Sequence, residues 1–313
     1  MKCIIPVDLL LNTTLVSSSI PEPDPTVDPT GIGTAQLAGY DGDTVYGLGD
    51  RATVDHVIYK SLVASNAGNY PPTDISATDK HWSDAGYTNR YSALDIYLNT
   101  KTKSASDITY KFKSNGCNGI ALFGLKGRSV GVVVKNQSET VVFSSVTGLG
   151  PTNINSWSAY FFTRRLFVQN AWVEFPLLAQ STIEVTLYGS APEVGKIVLG
   201  LVREIGKTKK EATFSKTDYS VISTNSFGGV YLSKGQRAKN FDGDVYVYGD
   251  DIHDVENTTD EIASVVTAFF CANGEMNHKL HNYMLISGYL EKWESIIEYN
   301  NVYTCSLAIK GIV

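Results

Sequence analysis

The chain has 313 residues, with 26 Lys plus Arg against 32 Asp plus Glu, a formal net charge of -6, 43% hydrophobic residues and 19% charged residues. A chain of that size and apolar content can bury a real core and is not an intrinsically disordered polymer. It has no basic surplus with which to grip nucleic acid or an anionic membrane, and its apolar runs fall short of the roughly 20 residues that span a bilayer, so neither nucleic-acid binding nor membrane insertion is expected.

The first residues, MKCIIPVDLLLNTTLVSSS, have the outline of a leader peptide, but Pro6 and Asp8 interrupt the apolar stretch, so it reads as mature chain. Nothing nearby pairs with Cys3–Val7, which is expected to be a strand or arm docking elsewhere. Residues 20–30, IPEPDPTVDPT, hold Pro21, Pro23, Pro25 and Pro29 and read as an extended, semi-rigid linker. Residues 1–39 are therefore expected to be an arm and linker.

Residues 40–91 form a short aromatic unit: TVYGLGD (Thr44 to Asp50), HVIYKSLVAS (His56 to Ser65), GNYPPTD (Gly68 to Asp74) and HWSDAG (His81 to Gly86). So short a unit buries only a miniature core, centred on Tyr46, Tyr59 and Trp82. Residues 92–203 carry seven strand-like runs, at 108–113, 119–124, 128–135, 139–146, 171–175, 181–189 and 196–202. Ile108, Tyr110 and Phe112 alternate with Thr109, Lys111 and Lys113, as do Ile183, Val185 and Leu187 with Glu184, Thr186 and Tyr188. That period of two gives one buried and one wet face, and the set predicts a jelly-roll-like sandwich.

Residues 204–313 read as α+β. Strands are expected at 219–223, 229–233, 245–249, 283–293 and 302–312. Thr258 and Glu261 have capping-box spacing, Ile262, Val265, Val266, Phe269 and Phe270 follow helical periodicity, and Gly274 sits where a C-terminal cap belongs, which predicts one amphipathic helix over 258–273 laid on the strands. The fold class is mainly β: a small β module, a jelly-roll-like β-sandwich and a C-terminal α+β domain.

Little in the sequence points to chemistry. Cys3, Cys117, Cys271 and Cys305 lie far apart, without a CxxC, and read as buried small hydrophobes. Asp242, Asp244, Asp250, Asp251, His253 and Asp254 cluster but do not match the calcium-loop spacing, and His278 and His281 lack the glutamate of a zinc helix. No nucleophile elbow, phosphate loop or dinucleotide fingerprint occurs. No enzyme activity, metal or cofactor is expected. Aromatic rings stack on the C–H faces of sugars, and the candidate sugar-contacting residues are Tyr46, Tyr59, Tyr70, Trp82 and Tyr87. Two or three of these are expected to be core, with Tyr70, beside Pro71 and Pro72, the most exposed.

Two resemblances add to this. Tyr46, Gly49, Asp50, Tyr59, Leu62, Pro71 and Trp82 match the pattern of the short chitin- and cellulose-binding modules of bacterial glycosidases, with Ala52 where that pattern prefers Val, so the 40–91 unit resembles a carbohydrate-binding module. Over nearly its whole length the chain resembles tailed-bacteriophage virion proteins, through Val16 to Asp24, through Trp82, Asp84, Gly86, Asn89, Arg90, Tyr91, Leu94 and Asp95, through Ala121 to Leu125, and through Tyr283, Gly288, Tyr289 and Cys305 to Gly311. That resemblance implies a structural role in a tail, tail tip or fibre attachment. It implies other tail proteins and further copies of the chain as partners, localisation in the virion after assembly in the host cytoplasm, and host-surface glycan as an alternative partner. The Trp82–Asp95 segment is expected to be a joint between modules, with Arg90 buried against Asp84 or Asp95.

Overall fold

A computed structural model describes the chain except residues 12–13, 152, 155, 273–280 and 300. The protein is mainly β, as its composition requires. Among the described residues the strands form one ten-stranded sheet, a five-stranded sheet, a three-stranded sheet and two small pairs.

The sandwich forms as its alternation predicts. The five-stranded sheet runs Val141–Gly148, Ser129–Asn136, Ser181–Tyr188, Ile108–Ser114 and Leu15–Ser18. Ile183 pairs with both Phe112 and Val134, so the alternating apolar positions of three strands share one face. Tyr110, Phe112, Val130, Val132, Val134, Ile183, Val185 and Leu187 are buried there against Ile120, Leu122, Ala171, Ile197 and Leu199 of the facing sheet. Those last residues lie on the Gly119–Phe123, Ala171–Glu174 and Lys196–Glu204 strands, whose near-continuous apolar sequences reflect burial on both faces.

The first residues are not an arm. The Lys2–Pro6 strand lies inside the ten-stranded sheet, with Lys196–Glu204 on one side and Thr267–Phe270 on the other. Its side chains alternate: fully buried Cys3 joins the core of the C-terminal half, and fully buried Ile4 packs on the opposite face with Phe123, Trp172 and Phe270. The Thr267 hydroxyl donates to the Ile4 carbonyl. Gly200 is required by this pairing, because a Cβ there would run into the Ile5 carbonyl. A sequence stretch without a local partner thus finds two partners far along the chain.

Beyond Thr267–Phe270 the sheet continues through Leu285–Tyr299, Val302–Gly311 and Arg237–Tyr248. The expected helix over 258–273 is not there. The helix is Ile252–Glu261, and Thr258 and Glu261 lie within its last turn rather than at its start. Thr267–Phe270 is instead a strand buried on both faces, with Phe269 in one cluster and Ala268 and Phe270 in the other. The run TAFF suits a fully buried strand as well as a helix face, and sheet pairing decides between them. The proposed cap Gly274 and His278 lie outside the described residues.

Two elements stand away from every core. The Trp157–Phe162 helix, whose Ser156 hydroxyl accepts from the Ala159 N–H, has no buried residue. In the hairpin of Val221–Thr224 and Val230–Ser233 every residue of both strands is exposed.

The Pro-rich segment is tied down at the expected joint. Asn89 donates from its side chain to Asp24 Oδ2 at 2.7 Å and to the Lys103 carbonyl at 2.8 Å, and its backbone N–H donates to Asp28 Oδ1 at 2.7 Å. The Thr88 hydroxyl donates to Glu22 Oε1 at 2.9 Å, and His56 Nδ1 meets the same oxygen at 2.8 Å. His56 is held for this by a two-residue turn with positive φ at Asp55 and His56, the backbone that a tight hairpin demands. Arg90 departs from expectation: its half-buried guanidinium lies over the Tyr91 ring, and its Nε has no hydrogen-bond partner, so Asn89 and Thr88 make the joint instead.

Asp95 closes the joint, accepting from the Tyr97 N–H at 2.8 Å and the Thr100 hydroxyl at 2.6 Å. Burial pushes its carboxyl up to about 6, because the charged form loses its water. A folded-state value above the unfolded one means that stability is full below pH about 4 and declines as pH rises through about 6, by up to about 3 kcal/mol. Urea midpoints at pH 4 and pH 7 should differ less in Asp95→Asn than in the wild type. Equal differences would remove Asp95 from the account.

Candidate functional site

The small module is built around aromatic residues. Arg51–Val54, Val57–Ser61 and Trp82–Tyr87 form its antiparallel sheet, and a single helical turn, Pro71–Asp74, packs beside it. Tyr46, Ala52, Tyr59 and Trp82 are its buried core, with Tyr40, Val54, Val57 and Ile75 packed around them.

Trp82 is fully enclosed, its ring 5.0 Å from that of Tyr46 and edge-on to it. Its indole N–H donates to the Asn69 carbonyl at 2.8 Å, and its backbone N–H donates to Asp74 Oδ2 at 2.7 Å. Asp74 also accepts from the His81 backbone N–H, and its other oxygen meets His81 Nδ1 at 2.8 Å. Burial alone would raise the Asp74 carboxyl, but the bonds from His81 and Trp82 outweigh it and hold the group below the ordinary carboxylate range. One buried carboxylate thus fixes the loop that closes over Trp82.

This burial corrects the list of sugar-contacting candidates. Tyr46, Tyr59 and Trp82 are core, and a ring without an exposed face cannot stack on a sugar. Tyr87 is half-buried and packs on the core of the sandwich. Tyr70 is 46% exposed, as its proline-flanked loop suggests. Tyr40, which sequence reasoning did not single out, completes the face: its ring is stacked on Tyr46 at 5.8 Å and meets Tyr70 edge-on at 5.8 Å. Tyr40 lacks a strand or motif context in the sequence, so no local signal marks it. The candidate site is therefore Tyr70 backed by Tyr40, a single-ring platform.

Other chemistry-bearing residues take structural places. Cys3, Cys117, Cys271 and Cys305 are buried free thiols, and burial pushes Cys3 up to about 12 and Cys305 up to about 11, so neither is ionised near neutrality. Among the described residues no group of three or more His, Cys, Asp or Glu side chains is placed to hold a metal ion. Asp250, Asp251 and Asp254 are exposed around the start of the Ile252–Glu261 helix, where acids favour the helix dipole.

No family model matches the chain, and no curated protein matches it. Among solved structures, the lectin domain of lectinolysin complexed with Lewis B antigen is 12% identical over 35% of this chain and 81% of its own, with a TM-score of 0.25. A fucose-binding module of Streptococcus pneumoniae is 8% identical over 36% of this chain and 83% of its own, also at 0.25. A chitosan-binding module of a Paenibacillus chitosanase/glucanase is 15% identical over 37% of this chain and 86% of its own, at 0.25. At these scores the matches place the chain in no family, and its functional reading has to come from its own residues.

Proposed function

We propose that the chain is a non-catalytic structural component of a bacteriophage tail, bound to its neighbours through protein–protein contacts. The tail assignment rests on the sequence resemblance. The observation that carries the assembly reading is the pair of uncovered elements. In the helix, Trp157 is 81% exposed and Phe162 87%; in the hairpin, Ile222 is 69% exposed, Leu232 68% and Phe227, at its turn, 95%. A lone two-stranded hairpin is marginal in water, and so much apolar surface is unusual on a free monomer. Cover by neighbouring tail proteins, further copies included, accounts for both.

The double variant Ile222→Lys, Leu232→Lys tests this. Both side chains are exposed, so each change should alter the stability of the free chain by less than about 0.5 kcal/mol. Particles assembled with the variant in place of the wild type should lack it, as read by mass spectrometry of purified virions. Normal incorporation would overturn the reading.

A second reading, glycan contact at the host surface, is favoured by the Tyr70 platform over Tyr40. One exposed ring stacks on one sugar, which places a single site near the millimolar end of the affinity scale. Many copies on one particle would raise the effective affinity by roughly 10²–10⁴. Release of reducing sugar from any polysaccharide would refute the non-catalytic reading.

A further inference from the structure

A cleft of about 710 Å³ opens where the sandwich meets the C-terminal half, over one face of the shared sheet. Its walls come from distant parts of the chain: Arg164 and Arg165 from the segment after the exposed helix, and Arg237 and Lys239 from a long strand of the C-terminal half. No aspartate or glutamate lines it among the described residues, although acids outnumber bases in the chain as a whole. Asp218 reaches Arg237 Nε at 2.8 Å but is not itself part of the lining. Lys216 lies opposite Lys239 on the paired strand, a further cation next to the cleft.

The floor supplies an independent sign of a ligand. Ser287 lines the cleft, is 4% exposed, and its hydroxyl oxygen is buried without a hydrogen-bond partner. A buried hydroxyl left unpaired costs free energy, and such a group calls for a partner that the chain does not provide. Leu166 and Phe167, which also line the cleft and are about half exposed, offer apolar surface.

We propose that this cleft binds an anionic saccharide, a sugar ring bearing a carboxylate or phosphate group, with the arginines on the oxyanion, Ser287 donating from the floor and the apolar side chains against the ring. Guanidinium groups pair with either oxyanion through two parallel hydrogen bonds. The cleft volume lies within the range of small-ligand sites, and mixed apolar and polar walls suit a sugar better than a simple ion. This site is separate from the Tyr70 platform and does not depend on the tail assignment.

The test is calorimetry on the full chain with trigalacturonate, glucose 6-phosphate, neutral maltotriose and a polyglutamate peptide. One or both of the anionic sugars should bind at least about tenfold tighter than maltotriose, and which of them does so identifies the oxyanion. Arg164→Glu with Arg165→Glu, both exposed in the wild type, should remove that preference without changing the melting temperature, and Ser287→Ala should weaken binding by roughly three- to tenfold. Tyr70→Ala should leave it unchanged. The proposal is overturned if neither anionic sugar outbinds maltotriose, if polyglutamate outbinds both, which would make the cleft a protein-docking site, or if Tyr70→Ala abolishes the binding.

Discussion

Deleting Lys2–Pro6 is expected to abolish the cooperative unfolding transition of the sandwich and the C-terminal half together. The strand fills a slot between Lys196–Glu204 and Thr267–Phe270, and without it both neighbours become raw edges. Two fully buried side chains, Cys3 and Ile4, leave opposite faces of the sheet at once. Ile4→Ala alone should cost about 2–5 kcal/mol, a large part of the 5–15 kcal/mol that typically holds a domain. Gly200→Ala probes the same contact from the other side, since its new methyl meets the Ile5 carbonyl. Urea unfolding followed by circular dichroism measures all three. A deletion variant with the wild-type midpoint would mean that the strand is a dispensable arm after all.

The second large effect separates core from surface in the small module. Trp82→Ala removes a fully buried indole from a cluster of four buried residues and leaves the Asn69 carbonyl without its donor. Its expected cost, about 3–5 kcal/mol, approaches everything that so small a unit can muster. Amides of Arg51–Val54 and Val57–Ser61 should lose their hydrogen-exchange protection, while the sandwich strands keep theirs. Tyr70→Ala should leave protection throughout the module intact. Protection that survives Trp82→Ala would show that the ring is not what holds the module together.

These effects also show which parts of the molecule can be read from sequence. Strands with one wet face announced themselves: Ile108, Tyr110 and Phe112 alternate with polar neighbours, and the structure buries them as written. Pairing at long range left no such mark. Lys2–Pro6 meets residues about two hundred or more positions away, and nothing in KCIIP specifies them. The 262–270 stretch misled for a different reason. Its apolar spacing fits a helix face, yet Ser264 adopts a positive φ and the chain enters a doubly buried strand. The true helix, Ile252–Glu261, buries only Val255, Thr258 and Thr259, too polar a face to be recognised by periodicity.

At the candidate sites the same logic holds. Motif matching in the small module found residues that build its core, because Tyr46, Tyr59 and Trp82 define the unit structurally. The exposed ring, Tyr70, was readable from its loop, whereas Tyr40 gains its place only through three-dimensional stacking. The basic cleft was invisible for a similar reason: Arg164 and Arg165 lie more than seventy residues from Arg237 and Lys239, and only the fold brings them to one opening.

The most direct test of the assembly reading is a density map of the native particle at side-chain resolution. The account predicts that Trp157–Phe162 and the Val221–Ser233 hairpin lie under a neighbouring protein, with Phe162, Ile222 and Leu232 buried in the contact. Both elements facing bulk solvent in the assembled particle would contradict it.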